Sequence, residues 1–259
     1  EHNVWDSHHP ATRLVDRITF GLDDAHLAVS EAVRASVPRS GVGRVEVVIH
    51  GVDVDSVLAE ADRVEARREL GIRDDEVLIG TVANLRSQKA YPDLLRAARK
   101  VLDQVPTARF VAIGKGPAET ELRTLHGELG LGDRFTFLGY RRDAAHLASG
   151  FDIFCMSSHH EGLPVALMEA LVLGIPAVAT TAGGIPELVT DRVEGRLVPT
   201  GRATELAAAL AEVATDPAQL RRYADAAAKR GRSLSVDTAI RRTEDVYRAL
   251  MESPSGSRP

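Results

Sequence analysis

The chain has 259 residues, of which 44% are hydrophobic and 27% charged, a composition typical of a globular protein and unlike that of disordered, collagen-like or coiled-coil chains. It carries 32 basic against 37 acidic residues, and this net charge of -5 lacks the basic surplus of nucleic-acid-binding proteins, so nucleic acid is not expected as a partner. A single cysteine, Cys155, excludes an intrachain disulfide, and no apolar run approaches ~18 residues. We therefore expect a cytoplasmic location and no transmembrane segment.

The first 50 residues contain two strand–helix steps, too few to close a domain of their own. We therefore expect residues 1–50 to be the tail of a preceding Rossmann-like domain and residues 51–69 to form an interdomain linker. The elements predicted before the linker are helices over 13–22 and 31–37 and strands over 24–30 and 45–51.

From residue 77 onward, short apolar runs alternate with segments of helical periodicity. Strands that alternate with helices predict a parallel sheet covered on both faces. We therefore expect a doubly wound, Rossmann-like α/β domain over 70–230, a C-terminal helix over 231–252 and a disordered tail over 253–259. The predicted strands cover 77–83, 110–114, 135–139, 152–156 and 176–180, and the predicted helices cover 92–105, 143–149, 164–173 and a segment around Leu122, Leu125 and Leu129.

The most informative stretch covers residues 157–176, in which a strand ends near Met156 and a Gly/Pro turn opens a helix at Pro164. The helix N-terminus then lies at the carboxyl end of a parallel strand, where ligands of doubly wound sheets bind. The N–H groups around Gly162, Leu163 and Val165, together with the helix dipole, would suit an anion such as a diphosphate.

Two glutamates flank the start of this helix. Glu169 is the only charged side chain between Glu161 and Glu187, and it borders the apolar stripe of the helix. Because a buried carboxylate needs partners and this one leans toward the helix N-terminus, we expect it to accept hydrogen bonds from a vicinal diol such as ribose. The alternative is a structural carboxylate that caps a neighbouring backbone. Glu161 would reach a part of the same ligand that lies farther from the ribose. The alternative is that Glu161 is an ordinary surface glutamate.

Several short motifs accompany the E-x7-E spacing of Glu161 and Glu169. They are EHNVW (1–5), AVSEAVR (28–34), IHGVD (49–53), IGKGP (113–117), FLGYRRD (137–143), GGIPE (183–187) and GRLVP (195–199). In this order and spacing, the chain resembles the retaining GT-B glycosyltransferases (glycosyl transferases group 1, family 4). The resemblance implies the C-terminal, donor-binding half of a GT-B fold over 70–230, preceded by the tail of the N-terminal, acceptor-binding half.

The resemblance also implies roles for single residues. In that family the second glutamate, here Glu169, holds the nucleotide ribose, and the first, here Glu161, holds hydroxyls of the donor sugar. Backbone N–H groups after the first glutamate, at Gly162, Leu163 and Val165, contact sugar or phosphate. The segment that contains Arg141 is where the family often contacts the base, so Arg141 is a further donor-binding candidate.

The family also carries an arginine and a lysine, in a G-R-L-x-x-x-K-G motif, that clamp the donor diphosphate. Residues 83–90 here read A-N-L-R-S-Q-K-A, so Lys89 matches the lysine, whereas Asn84 replaces the arginine and Ala90 the glycine. Arg86 is the nearest residue that could supply the missing cation. Fixed cations stabilise the charge that develops on a leaving diphosphate, and Lys89 and Arg86 are therefore the candidate catalytic residues.

The function that the resemblance implies is retaining transfer of a sugar from a nucleotide-sugar donor to a carbohydrate, lipid or small-molecule acceptor. A lipid acceptor would add peripheral membrane contact. No cofactor and no metal are expected, because the Asp53-x-Asp55 pair falls in the family's interdomain turn and cationic side chains would do the work of a metal. Two alternatives stay open: a nucleotide-sugar epimerase on the same scaffold, and a donor-binding fragment without independent activity.

Overall fold

A six-stranded parallel sheet dominates the structure, a computed structural model that describes residues 12, 15, 18–20, 23–37 and 45–252. Two short parallel strands precede it, β1 (His26–Ala28) and β2 (Val45–Val47). The sheet itself consists of β3 (Val77–Val82), β4 (Ala108–Ile113), β5 (Phe135–Gly139), β6 (Ile153–Met156), β7 (Ala177–Thr180) and β8 (Gly195–Val198). Its spatial order is β5-β4-β3-β6-β7-β8.

Eleven α-helices lie within the described ranges. They are α1 (Glu31–Ser36), α2 (Val54–Ala59), α3 (Arg63–Glu69), α4 (Tyr91–Gln104), α5 (Glu119–Glu128), α6 (Ala144–Ala148), α7 (Val165–Val172), α8 (Ile185–Leu188), α9 (Ala203–Thr215), α10 (Pro217–Gly231) and α11 (Val236–Glu252). A short 3₁₀ helix at Ser87–Lys89 precedes α4, where Pro92 occupies the first turn, as a proline at the start of a helix should.

Both faces of the sheet are covered, because its strands alternate their side chains between two cores. In β6, Phe154 and Met156 join the core that contains α6, α7 and Ala227 of α10. The intervening Ile153 and Cys155 join the core that contains α4 and α9. The prediction of a doubly wound α/β domain is thus confirmed, and Cys155 is a buried core residue.

Sequence patterns missed several elements. No strand or helix was predicted between 181 and 230, where β8 and the helices α8, α9 and α10 lie. The segment 51–69, predicted as a linker, contains α2 and α3, and Arg67 of α3 pairs with Asp152 at 2.9 Å beside the start of β6. The domain boundaries themselves stay predictions. The predicted tail over 253–259 lies wholly, and the predicted helix over 13–22 largely, outside the described residues.

Candidate functional site

The candidate site lies where the strand order reverses. Strand β3 lies next to β6, although two strands, β4 and β5, come between them in the chain, and the crossovers leave these two strands in opposite directions. Loops at the carboxyl ends of two such strands diverge and open a crevice, which is the usual ligand site of a doubly wound sheet. The loop after β3, residues 83–90, is called the lysine loop below, and the loop after β6, residues 157–164, the glutamate loop.

A buried ion pair joins the two loops. Nζ of Lys89 lies 2.6 Å and 2.9 Å from the two carboxylate oxygens of Glu161. The Glu161 side chain is 7% exposed and that of Lys89 17%, so water screens this pair only weakly. The hydroxyl of Ser158 donates a third hydrogen bond to the Glu161 carboxylate, at 2.6 Å. The structure therefore brings together two of the predicted site residues and adds Ser158, which sequence reasoning missed.

The backbones of the two loops are also tied together. The Ser157 hydroxyl donates to the carbonyl of Lys89 at 2.9 Å, and the His159 N–H donates to the carbonyl of Gln88 at 2.8 Å. The hydroxyl of Thr180, at the end of β7, donates to the carbonyl of Ser158 at 2.6 Å. Three adjoining strand ends thus fix the position of the Lys89–Glu161 pair.

Free backbone donors surround the start of α7. Within the described residues, no acceptor takes the N–H groups of Gly162, Leu163 or Val165, and Pro164 between them has no N–H. The Leu163 side chain is buried in the core, which anchors this backbone, whereas Val165 is 46% exposed. Unpaired N–H groups at the positive end of the helix dipole form a binding site for an anion.

Glu169 lies one turn further along α7. Its side chain is half-buried, and no side-chain or backbone group of the described residues donates a hydrogen bond to its carboxylate. Burial raises the pKa of this carboxyl, and the nearby negative charge of Glu60 raises it further. A half-buried carboxylate without hydrogen-bond donors is stabilised by any ligand hydroxyl that donates to it.

Arg86 does not join the ion pair. It is exposed, and it forms no ion pair with a described residue. It lines a cavity of about 460 Å³ between α4 and α5, together with Arg96 and His159. A role on a diphosphate would require this side chain to turn toward Lys89, so its catalytic role stays a prediction.

The guanidinium of Arg141 is already engaged. Its Nε lies 2.8 Å from Asp143, and one of its terminal nitrogens lies 2.6 Å from Glu69 of α3. The hydrogen bond to Asp143 raises the pKa of Arg141 most, and the hydrogen bond to Glu69 raises it further. Its backbone follows the end of β5, so a base contact made here would use the main chain and not the side chain.

Other candidate sites have structural explanations. Asp53 of the Asp-x-Asp pair caps α2 by accepting from the N–H of Ser56 at 2.9 Å. Within the described residues, no group of three or more His, Cys, Asp or Glu side chains is arranged to hold a metal ion. Among the same residues, no helix combines the length and the apolar character needed to cross a membrane.

Comparisons with known proteins identify the family of this chain. The model of the family "Glycosyl transferases group 1" matches residues 62–230. A D-inositol 3-phosphate glycosyltransferase of Kribbella flavida is 33% identical over 221 residues, which are 81% of this chain and 52% of the relative. An N-acetyl-alpha-D-glucosaminyl L-malate synthase of Bacillus anthracis is 27% identical over 197 residues, 73% of this chain and 50% of the relative. The chain thus spans about half the length of these curated relatives.

Solved structures support the fold. HepE of Anabaena, in a crystal structure with UDP and glucose, superposes with a TM-score of 0.85 at 23% identity, over 95% of this chain and 70% of that one. A sucrose-phosphate synthase of Thermosynechococcus elongatus reaches a TM-score of 0.81 at 22% identity, over 95% of this chain and 63% of that one. The predicted family and fold are confirmed: the chain belongs to the glycosyl transferases group 1 family, and its sheet domain has the fold of a GT-B glycosyltransferase half.

Proposed function

We propose that this chain is the donor-binding half of a retaining, metal-independent glycosyltransferase that takes its sugar from a nucleotide-sugar. The observation that carries the proposal is the arrangement along α7, where unpaired N–H groups precede an unpartnered carboxylate. An anion at the helix start would accept from the N–H groups, and a hydroxyl-bearing group would donate to the Glu169 carboxylate. A nucleoside diphosphate offers these two features side by side. The UDP and glucose bound to HepE support the same class of ligand.

In this proposal the ion pair changes partners when the donor binds. The diphosphate occupies the N–H groups of Gly162, Leu163 and Val165, and the Lys89 ammonium turns from Glu161 to a phosphate oxygen. The Glu161 carboxylate, released by Lys89 but still held by Ser158, then accepts hydrogen bonds from hydroxyls of the sugar. Glu169 accepts from the ribose.

Transfer breaks the bond between the sugar C1 atom and the diphosphate oxygen, and the electron pair leaves with the diphosphate. The acceptor oxygen forms the new bond to C1 on the same face of the sugar, and its proton passes to the departing diphosphate oxygen. Lys89 and the helix N-terminus stabilise the charge that develops on the leaving diphosphate.

The preceding half of the complete protein holds the acceptor, and the names of the two curated relatives above favour a small anionic acceptor. The reaction takes place in the cytoplasm, where nucleotide-sugar donors are present.

A thermal-shift screen of the 259-residue chain against UDP-, GDP- and ADP-sugars tests the proposal. Ligand at 100 times its dissociation constant stabilises the native state by ~2.7 kcal/mol, so a true donor raises the melting temperature clearly. If none of the three classes shifts the melting temperature, the proposal is contradicted.

Incubation of the complete protein with donor alone, and then with a range of acceptors, tests the alternatives. Epimerised product from donor alone would indicate an isomerase, and binding without turnover on any acceptor would indicate a binding module.

Glu161→Gln separates the sugar contact from the phosphate contact. The substitution frees Lys89 from its ion pair, so we expect unchanged or tighter binding of the nucleoside diphosphate and weaker binding of the matching nucleotide-sugar. Isothermal titration with both ligands measures the difference. Equal losses for both ligands would reject the assignment of Glu161 to the sugar.

A further inference from the structure

Glu187, in α8, joins two parts of the chain that lie far apart in sequence. Its two carboxylate oxygens accept hydrogen bonds from the N–H groups of Glu31 at 3.0 Å and Ala32 at 3.1 Å, the first two residues of α1. The sequence separations are 156 and 155 residues. Glu187 thus connects the segment before the linker to the sheet domain.

The contact completes the N-terminal cap of α1. An α-helix leaves its first four N–H groups without intrahelical partners. Ser30 is the N-cap residue: its hydroxyl oxygen accepts from Val33 at 3.1 Å, and its carbonyl accepts the first regular helical hydrogen bond, from Arg34 at 3.0 Å. The N–H groups of Glu31 and Ala32 bind Glu187, whose negative charge also interacts favourably with the helix dipole. Without Glu187, both would lose their acceptor.

The backbone of Glu187 is held from the opposite side. Arg230, near the end of α10, donates to the carbonyl of Glu187 at 2.5 Å and to that of Leu188 at 3.3 Å. The carboxylate therefore extends from a turn that Arg230 anchors, and it restrains the position of α1 relative to that turn.

The turn that leads into α8 also contacts the glutamate loop. The N–H of Gly184 donates to the carbonyl of Gly162 at 2.9 Å. A Cβ atom at Gly184 would lie 2.4 Å from that carbonyl oxygen and 3.0 Å from Cβ of Ser30, which is fully buried. Residues 183–187 are thus packed between α1 on one side and the backbone of Glu161 and Gly162 on the other.

We propose that Glu187 is a positioning residue: by capping α1 it seats the preceding segment against the glutamate loop, and this contact holds the N–H groups of that loop in the arrangement that binds the donor. The inference rests on the proposed donor site. Coupling between two sites is reciprocal, so donor binding must also strengthen the cap. A cap that served stability alone would gain only the general protection that ligand binding gives to amides that exchange through unfolding.

The test compares Glu187→Ala and Glu187→Gln with wild type in the 259-residue chain. The probe is whichever of UDP-glucose, GDP-mannose and ADP-glucose binds wild type most tightly in the screen. Asp216→Ala is the matched control, since Asp216 also accepts from two N–H groups at a helix start, those of Ala218 and Gln219, but within its own helix, α10. Titration calorimetry gives the affinities, and hydrogen exchange follows the amides of Glu31 and Ala32 with and without the probe.

We expect Glu187→Ala to weaken probe binding by roughly fivefold, at the lower end of usual coupling between sites, with a smaller loss for Glu187→Gln, which keeps one acceptor oxygen. Asp216→Ala should bind the probe as wild type does. In wild type, the probe should slow exchange at Glu31 and Ala32 more than at the control amides of Ala218 and Gln219, and Glu187→Ala should abolish this excess.

Two results would overturn the inference while leaving the donor site intact. One is wild-type affinity in both Glu187 variants, and the other is that the probe slows exchange in wild type no more at Glu31 and Ala32 than at Ala218 and Gln219. If Glu187→Ala does not fold, Glu187→Gln and the wild-type exchange response decide the question. If wild type binds none of the three probes, the proposed donor site fails and the inference falls with it, an outcome that the wild-type titration alone identifies.

Discussion

Replacement of Lys89 by methionine tests the ion pair on which the candidate site depends. The substitution keeps the length of the side chain but leaves Glu161, 7% exposed, without its cation. Removing one partner of a buried pair typically costs ~3–5 kcal/mol. Because Ser158 still donates to Glu161 and Lys89 keeps 17% exposure, we expect a smaller loss here, of ~2–3 kcal/mol.

Urea unfolding at pH 7 measures this loss, with Glu161→Gln and the double variant completing a mutant cycle. In the double variant a neutral amide faces a neutral thioether, so we expect a coupling energy of ~1–2 kcal/mol in favour of the pair. Lys100→Met is the matched control, since among the described residues the ammonium of this exposed lysine bonds only the hydroxyl of Thr204. It should change stability by less than ~0.5 kcal/mol.

A loss below ~0.5 kcal/mol for Lys89→Met, or single losses that simply add in the double variant, would refute the reasoning. The pair would then not exist in solution, and the proposed exchange of partners on donor binding would lose its basis. In the complete enzyme, the same substitution should lower kcat at saturating donor by ~10²–10³, the usual cost of losing one donor to a developing oxyanion.

Three further predictions concern neighbouring residues. Burial raises the pKa of Glu169 above its unfolded value, so stability falls as pH rises from the unfolded pKa to the raised one. Glu169→Gln should therefore stabilise the chain at pH 7, lose this advantage below about pH 4, and weaken nucleoside diphosphate binding by ~1.5–3 kcal/mol. Equal melting temperatures of variant and wild type at pH 7 would contradict the predicted gain in stability. Arg86→Ala should leave stability unchanged and reduce kcat of the complete enzyme no more than loss of the lysine does; wild-type kcat would show that the clamp is a single cation. At Gly183, φ is 52° and an added Cβ would lie 1.7 Å from the carbonyl oxygen of Glu161; at Gly201, φ is 71° and the space is open. Gly183→Ala should therefore destabilise the chain by more than the ~1–2 kcal/mol that we expect for Gly201→Ala. Equal losses for the two variants in urea unfolding would contradict the steric argument.

The sequence alone determined the class of the fold and the position of the chemistry along the chain. Short apolar runs such as 77–82 and 153–156 indicate buried strands, because they are too short for a typical helix and alternate with segments of helical periodicity. The Gly/Pro turn at Pro164 placed Glu161 before a helix and Glu169 within it, as the structure has them. These signals are local, since each depends on the period of one element.

Alanine-rich helices gave weaker signals. In α9 and α10 alanine occupies both buried and exposed positions, so the contrast between an apolar and a polar face is reduced. Strand β8 is only four residues long and begins with Gly195, which is a poor strand former on propensity. Packing against β7 and α9, and not its own sequence, makes this segment a strand.

The tertiary structure decided which side chains meet. Lys89 and Glu161 are 72 positions apart, and they form a pair because β3 lies next to β6 in the strand order. Arg141 matched a family motif, yet its side chain binds Asp143 and Glu69, because α3 packs against α6, the helix that follows β5. Glu187 caps a helix more than 150 residues away in sequence, a contact with no local pattern. Periodicity reports only the environment of each element, whereas contacts between loop side chains depend on how nonconsecutive strands pair and which loops their ends bring together.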